Sequence, residues 1–312
     1  MRFDTVSAPM LRPLRDIVFR AVAHQRRDAA LTGCVLVNGS PRSGTTWLWE
    51  WLRRSMSVAG MSETLTDRGL GDWPKRLGFT NRPYRAPDRD DPAFEAALVD
   101  LFAGRHVVPN VFQPRELPHL VAGRPVLTKL ITGNLLLPWL VKHLPALRIV
   151  QIIRNGVAVV TSQVMHPYGD WSGLHAISPE YDPFLAEHPD YAKPQERFDT
   201  LEEVLAAHWA LEHRYLVEQM ELLAPVVHFV RYEDLVHRPE PTFKGVLRFL
   251  GLPWRDALLE GAAKPSVSVQ KTSALKTGGD PTTKYREQLD PDKLARIDAI
   301  FERFGRPFGA AC

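Results

Sequence analysis

With two cysteines in 312 residues, the chain has no disulfide framework, which excludes the small, stapled, secreted folds. No apolar run approaches the ~18 residues that suggest a membrane-spanning helix. The N-terminus lacks the ordered basic, apolar and small-residue regions of a secretory leader. Charge of one sign is scarce as well: 39 Lys and Arg face 36 Asp and Glu, a formal net charge of +3. That balance suits a small anion, and no dense basic stripe of the nucleic-acid-binding kind is present. Repeats and low-complexity tracts are missing too. A cytoplasmic protein in a reducing compartment is the simplest expectation.

Turning to what is there, 45% of the residues are apolar, enough to bury a substantial core in one domain, read as 1–312. Short β-prone runs alternate with helical patterns. The reading is strand 34–38, helix 45–56, strand 126–130, helix 134–144, strand 147–153 and helix 156–165. Helix 200–223, strand 226–230, helix 240–250 and helix 291–304 follow. Such alternation implies an α/β fold, a mostly parallel central sheet with helices on both faces and ligands at the carboxyl ends of the strands. Residues 66–125 and 166–199 break the pattern. They are rich in Pro, Gly, Asp and aromatics (Trp73, Tyr84, Trp171, Tyr181, Tyr191), and are expected to be irregular insertions that wall a binding pocket. A helix within 1–30, carrying Leu14, Ile17, Val18 and Val22 with Arg12, Arg15, Arg20, Arg26 and Arg27 around them, packs on the domain, on a second subunit or against a membrane surface.

The most informative segment is Asn38-Gly39-Ser40-Pro41-Arg42-Ser43-Gly44-Thr45-Thr46-Trp47. A strand, a small-residue loop and a helix in succession bring backbone N–H groups and a helix N-terminus onto one anionic oxygen cluster. The Gly39–Gly44 spacing fits the first half of a P-loop. Thr45 stands where a nucleoside-triphosphatase carries its Lys, which argues against ATP or GTP hydrolysis. Positive charge sits instead on Arg42, inside the loop, where a planar guanidinium grips a phosphate or sulfate at two points.

A second strand (147–153) ends in Arg154-Asn155-Gly156, and Ser162 follows eight residues after Arg154. Taken alone, Arg154 reads equally as a surface ion-pair partner. A third run, Arg231-Tyr232-Glu233-Asp234-Leu235, follows strand 226–230. Its adjacent carboxylates point to opposite faces if the strand continues, and no ligand cluster lies near them, so a metal site is not expected.

These motifs resemble those of sulfotransferases that use 3′-phosphoadenosine 5′-phosphosulfate (PAPS). The resemblance implies a three-layer P-loop fold. It assigns Arg42, Ser43, Gly44, Thr45 and Thr46 to the 5′-phosphosulfate, and Trp47 to adenine stacking or, equally, to the core. Arg154 and Ser162 fall at the 3′-phosphate, and Tyr232 near the adenine. It also implies that Lys129, at the end of strand 126–130, contacts the transferring group. Small-molecule enzymes of this kind carry a His two residues beyond that Lys, where this chain has Ile131. Tyrosylprotein sulfotransferases and bacterial relatives use a Glu in a Glu-Thr pair 21 residues beyond the loop Arg. Counting from Arg42 reaches Glu63, followed by Thr64. Glu63 is thus the expected base, with His106, His166 and His175 in reserve, and Lys276 is a further expected 3′-phosphate contact.

The implied reaction is in-line transfer of a sulfuryl group from PAPS to a hydroxyl, less readily an amine, of a small or aromatic acceptor. 3′,5′-ADP leaves and no metal is required. A P-loop small-molecule kinase and a non-catalytic adenine-nucleotide-binding protein are the alternatives.

Overall fold

Runs such as Arg148-Ile149-Val150-Gln151-Ile152-Ile153 are β-branched and apolar on both faces, the pattern of strands covered on both sides. The computed structural model describes residues 12–63, 65, 77–78, 80–106, 114–165, 175–191, 197–262 and 280–309. In chain order the main elements begin with α1 (Arg12–Gln25), β1 (Val35–Gly39), α2 (Thr45–Ser55), β2 (Ala59–Ser62), α3 (Pro92–Phe102) and α4 (Leu117–Val121). Next come β3 (Val126–Lys129), α5 (Leu137–His143), β4 (Arg148–Ile153), α6 (Gly156–Met165), α7 (Asp182–Glu187), α8 (Leu201–Glu218) and α9 (Met220–Leu223). The chain finishes with β5 (Val227–Arg231), α10 (Tyr232–His237), α11 (Pro239–Phe249), α12 (Ala257–Ala262) and α13 (Pro291–Arg303).

The five strands form one sheet in the order β2-β3-β1-β4-β5, and every pairing is parallel. β1 lies at the centre, with chain order reversing on its two sides. Ligands of open parallel sheets bind at such a switch point, beyond the strands' carboxyl ends. On one face, Leu36, Val126 and Ile149 pack with Phe94, Phe102 and Trp139. On the other, Val37, Leu127, Val150 and Val230 pack with Leu48, Trp51 and Phe243. A third cluster joins α6, α8 and α13 through Val157, Leu211, Ile297 and Phe301.

Several expectations need correction. The 66–125 segment is not irregular throughout, since α3 and α4 lie in it. Asp91 caps α3 by accepting from Phe94 N at 3.1 Å, Pro92 stands in its first turn, and Phe94, Leu98, Leu101 and Phe102 form its buried face. Proline there reads as a loop residue, yet its fixed φ favours a helix start. Tyr84, Tyr181 and Tyr191 do not face an open pocket but are buried in the third cluster. Glu233 and Asp234 stand in the first turn of α10 and not on a strand. In α1, Ile17 and Val18 face outward while Phe19 and Val22 enter the core. Arg26, expected on the surface, is buried and donates to the carbonyls of Ala103, Gly104 and Leu120. The side chain of Leu14, and residues Trp73 and Trp171, lie outside those described. Edge strand β2 went unread because Ala-Gly-Met-Ser carries no β-branched residue. No helix among the described residues is long and apolar enough to cross a membrane.

Candidate active site at the strand tips

β1 ends at Gly39 and the chain turns through residues 40–44 into α2. Ser43 N and Oγ both donate to the Ser40 carbonyl, at 3.1 and 2.6 Å, so the loop closes on itself. Gly44 has φ of 95°, a left-handed conformation that costs glycine little. Any side chain there would collide with Tyr232, whose ring lies 2.6 Å from the position of a Cβ. No side chain caps α2, so the helix turns its first N–H groups, and the positive end of its dipole, toward the loop. Arg42 also takes a left-handed φ, 71°. That costs a non-glycine residue energy and is found disproportionately at functional sites.

Three residues assigned to two separate subsites gather in one cluster. Arg42 Nε donates to Ser162 Oγ at 3.0 Å. Arg154 Nη1 donates to the Arg42 carbonyl and Nη2 to the Pro281 carbonyl, both at 2.9 Å. Its guanidinium lies 4.4 Å from the ring centroid of Tyr232, a cation–π contact. Burial pushes the Arg154 pKa down, with Tyr232 and Glu233 opposing the shift; a guanidinium so placed still carries its charge at neutral pH. Its buried Nε has no partner among the described residues. An unpaired donor on a buried cation is a costly thing to leave unmet, and an anionic oxygen would meet it.

Trp47, half-buried, meets Tyr232 and Phe243 edge to face, each at 6.0 Å. Burial pushes the Tyr232 phenol up, and Arg154 pulls against it. Glu233 Oε1 accepts from Asn155 N at 2.9 Å and so pins the tip of β4 to α10. Sequence reading had assigned Glu233 no role. The signal it missed was the carboxylate's position at a helix start beside a neighbouring strand end.

At the other side of β1 the tip of β3 supplies Lys129. Its ammonium is buried and donates to Thr46 Oγ1 at 3.0 Å and to Glu63 Oε1 at 2.9 Å. Thr46 belongs to the loop helix, and Glu63 follows β2 directly. Glu63 N in turn donates to the Lys129 carbonyl at 2.9 Å. The Glu63 side chain is 42% exposed against 4% for Lys129, so the carboxylate stands at the open side of the pair. Glu63 has a positive φ of 56°.

The structure thus brings Arg42, Ser43, Gly44, Thr45, Thr46, Trp47, Lys129, Glu63, Arg154, Ser162 and Tyr232 to the carboxyl ends of β1 to β5. Thr45 is buried in the position of the nucleotidase Lys. Thr64, His166 and Lys276 lie outside the described residues. His106 follows α3, where its N–H donates to the Asp100 carbonyl, and burial lowers its pKa. His175 Nδ1 sits 3.3 Å from the Phe198 carbonyl. Neither histidine has a contact with the loop residues among those the structure describes.

Comparison with known proteins gives the family. A family model described as "Sulfotransferase family" matches residues 35–256, more than half of the chain. Among solved structures, the sulfotransferase domain of the Synechococcus PCC 7002 olefin synthase is 18% identical, with 87% of this chain and 94% of that one covered and a TM-score of 0.44. The sulfotransferase domain from the curacin biosynthetic pathway is 17% identical, covers 88% and 98%, and has a TM-score of 0.46. Mouse sulfotransferase SULT7A1, complexed with PAP, is 14% identical, covers 87% and 84%, and also has a TM-score of 0.46. No curated protein sequence matches.

Proposed function

Since the chain belongs to the sulfotransferase family, we propose that it takes the sulfuryl group from PAPS and passes it to a hydroxyl, less readily an amine, of a small or aromatic acceptor. The observation that carries this reading is the Lys129 ammonium, held between Thr46 of the donor loop and the Glu63 carboxylate. One buried cation there touches both the group that grips the donor and the group that would receive the acceptor's proton.

Each residue then has a defined task. The 40–44 loop and the N-terminus of α2 hold the 5′-phosphosulfate, with Arg42 as counter-charge. Arg154, whose buried Nε lacks a partner among the described residues, and Ser162 take the 3′-phosphate. Trp47 and Tyr232 border the adenine, and Lys276 is a further 3′-phosphate contact. Glu63 accepts the acceptor's proton while the acceptor oxygen attacks sulfur. The new O–S bond forms as the bond from sulfur to the 5′-phosphate oxygen breaks, and 3′,5′-ADP departs with the electron pair. Lys129 neutralises charge that builds on that oxygen, the preorganised electrostatic role that dominates transfers of this type. Arg42 and Lys129 supply this charge without a metal ion. Residues 66–125 and 166–199 form the acceptor side, and the chain works as one domain in a reducing, cytoplasmic setting.

The test is transfer of labelled sulfate from PAPS to a panel of phenols, alcohols, amines and sugars, with and without chelator. Transfer by the wild-type protein that Glu63→Gln abolishes, with PAPS affinity retained, supports the reading. Undiminished transfer by Glu63→Gln would remove Glu63 from the base role.

A further inference from the structure

Beneath the donor loop lies a buried polar chain for which the reaction above has no use. Glu212, on α8, is 2% exposed, and its two oxygens accept three hydrogen bonds from three distant segments. Oε1 accepts from Arg82 Nη1 at 2.9 Å and from the Tyr181 hydroxyl at 2.7 Å. Oε2 accepts from Asn134 Nδ2 at 2.7 Å. Arg82 belongs to the 66–125 insertion and Tyr181 to the 166–199 insertion. Asn134 stands in the turn after β3.

A carboxylate only accepts, so Asn134 must turn its NH₂ toward Glu212. The same NH₂ donates to Ser40 Oγ at 3.1 Å, the first residue of the donor loop. The amide oxygen then faces the other way and accepts from Asn38 Nδ2 at 3.0 Å and Gln151 Nε2 at 3.1 Å. Asn38 lies on β1 and Gln151 on β4, and Asn38 Nδ2 also donates to Gln151 Oε1 at 2.7 Å. The charge on Glu212 thereby dictates the sense of every bond down to Ser40. One acceptor of the network, Asn38 Oδ1, is buried without a partner among the described residues, and each further bond lost would be costly in the same way.

Arg82 faces the Glu212 carboxylate as its ion-pair partner at 2.9 Å. The Arg82 guanidinium lies 5.6 Å from the Tyr181 ring centroid. Burial opposes its charge, but Tyr181, Glu212 and Glu180 raise its pKa. The His208 ring lies 4.8 Å from that of Tyr181 between centroids, tilted by 30°, and its Nε2 accepts from Ser178 N at 3.0 Å.

We propose that Glu212 is a positioning residue that couples the two insertions to the donor loop, acting through Asn134 on Ser40. Order in the insertions and order in the loop then become one event. Loosening Tyr181 or Arg82 loosens the loop, and donor binding tightens the insertions in return, as linkage requires. The assignment of the ligand rests on the PAPS reading, but the coupling itself does not.

The test has two readouts. The first is hydrogen exchange of the peptide covering residues 40–46 in the free protein. The second is calorimetric titration with 3′,5′-ADP. Both are applied to wild type, Glu212→Gln, Tyr181→Phe, Ser40→Ala and the Tyr181→Phe/Ser40→Ala double variant. Tyr181→Phe is the mild variant, since it keeps the ring and removes one donor. Glu212→Gln sets an NH₂ against Asn134 or forces the amide to reverse. Exchange in the loop is expected to quicken about tenfold in both, and 3′,5′-ADP to bind about tenfold more weakly. The effects of Tyr181→Phe and Ser40→Ala should be non-additive, as for coupled sites. Wild-type loop exchange in Tyr181→Phe and Glu212→Gln, with only a lowered melting temperature, would overturn the proposal. Strict additivity in the double variant would overturn it as well. Failure of the wild type to bind 3′,5′-ADP would sink the donor reading alone, because loop exchange still decides the coupling.

Discussion

The donor end of the molecule and its two insertions use polar groups in different ways. At the donor end main-chain groups take part beside side chains: Ser43 reaches the Ser40 carbonyl, Arg154 the carbonyls of Arg42 and Pro281, and Glu63 N the carbonyl of Lys129 across adjacent strand tips. In the insertions the contacts are side chain to side chain and cross long stretches of chain, such as Tyr84 to Glu187 and Arg82 to Glu212. The first construction sets the Glu63 carboxylate at the open side of a buried cation. The second encloses the Arg82–Glu212 pair and leaves Glu187 exposed. A site made from strand tips can therefore exchange its ligand, while the segments around it are anchored by a buried ion pair.

Substitutions at the two ends should fail in different ways. The largest effect is expected at Lys129→Ala, a fall of ~10³-fold in kcat with a much smaller change in 3′,5′-ADP affinity. Single-turnover kinetics beside calorimetry would separate the two, and an equal loss in both would erase the distinction between chemistry and binding at this end. Glu63→Gln should follow, with kcat down by ~10²-fold and donor binding spared, measured by the same pair of assays.

The insertions, and helix α8 packed against them, should respond in stability before chemistry. Burial and the nearby Arg82 hold the His208 pKa down at about 3, and burial holds that of His213 down to about 4. Their folded-state pKa values lie below the ordinary 6.5, so the unfolded chain takes up protons that the folded one refuses. The stabilisation is whole above about pH 6.5 and is lost as pH falls toward the folded values, at most ~1.4 kcal/mol per pH unit per group. Thermal melts from pH 7 to pH 4.5 should show that decline, and His208→Gln should flatten it. The smallest effect is expected from Tyr84→Phe, which removes a hydroxyl that donates to Glu187 at 2.8 Å and costs ~1 kcal/mol. Chemical denaturation would measure it, and an unchanged KM for PAPS would keep the effect within the insertions.

The same contrast explains what could be read from the amino-acid order. The parallel sheet was legible because β1, β3, β4 and β5 are short runs rich in β-branched and apolar residues, and the loop because Gly44 and Arg42 sit at fixed offsets from β1. Glu63 was reached by counting along the chain, and its carboxylate does lie beside Lys129. Spacing alone does not reveal that Arg154 grips the Arg42 carbonyl, or that Ser162 receives the Arg42 guanidinium. Both depend on the left-handed turn at Arg42, which brings these groups together. Least legible was Glu212, a carboxylate among the apolar residues of a long helix. Its three partners lie 31, 78 and 130 residues away in sequence, and no local pattern marks them. Helix α3 was obscured by a proline that belongs to its first turn.

The register at Lys129 has a further consequence. In the ladder this residue stands level with Val37 on β1 and Ser62 on β2. Successive residues of a strand face opposite sides of a sheet. Adding or deleting one residue within β3 would therefore put the ammonium on the wrong face without altering a single functional side chain. Only a change of two residues would keep the ammonium on its face, so reaction chemistry at the strand tips is encoded partly as even and odd.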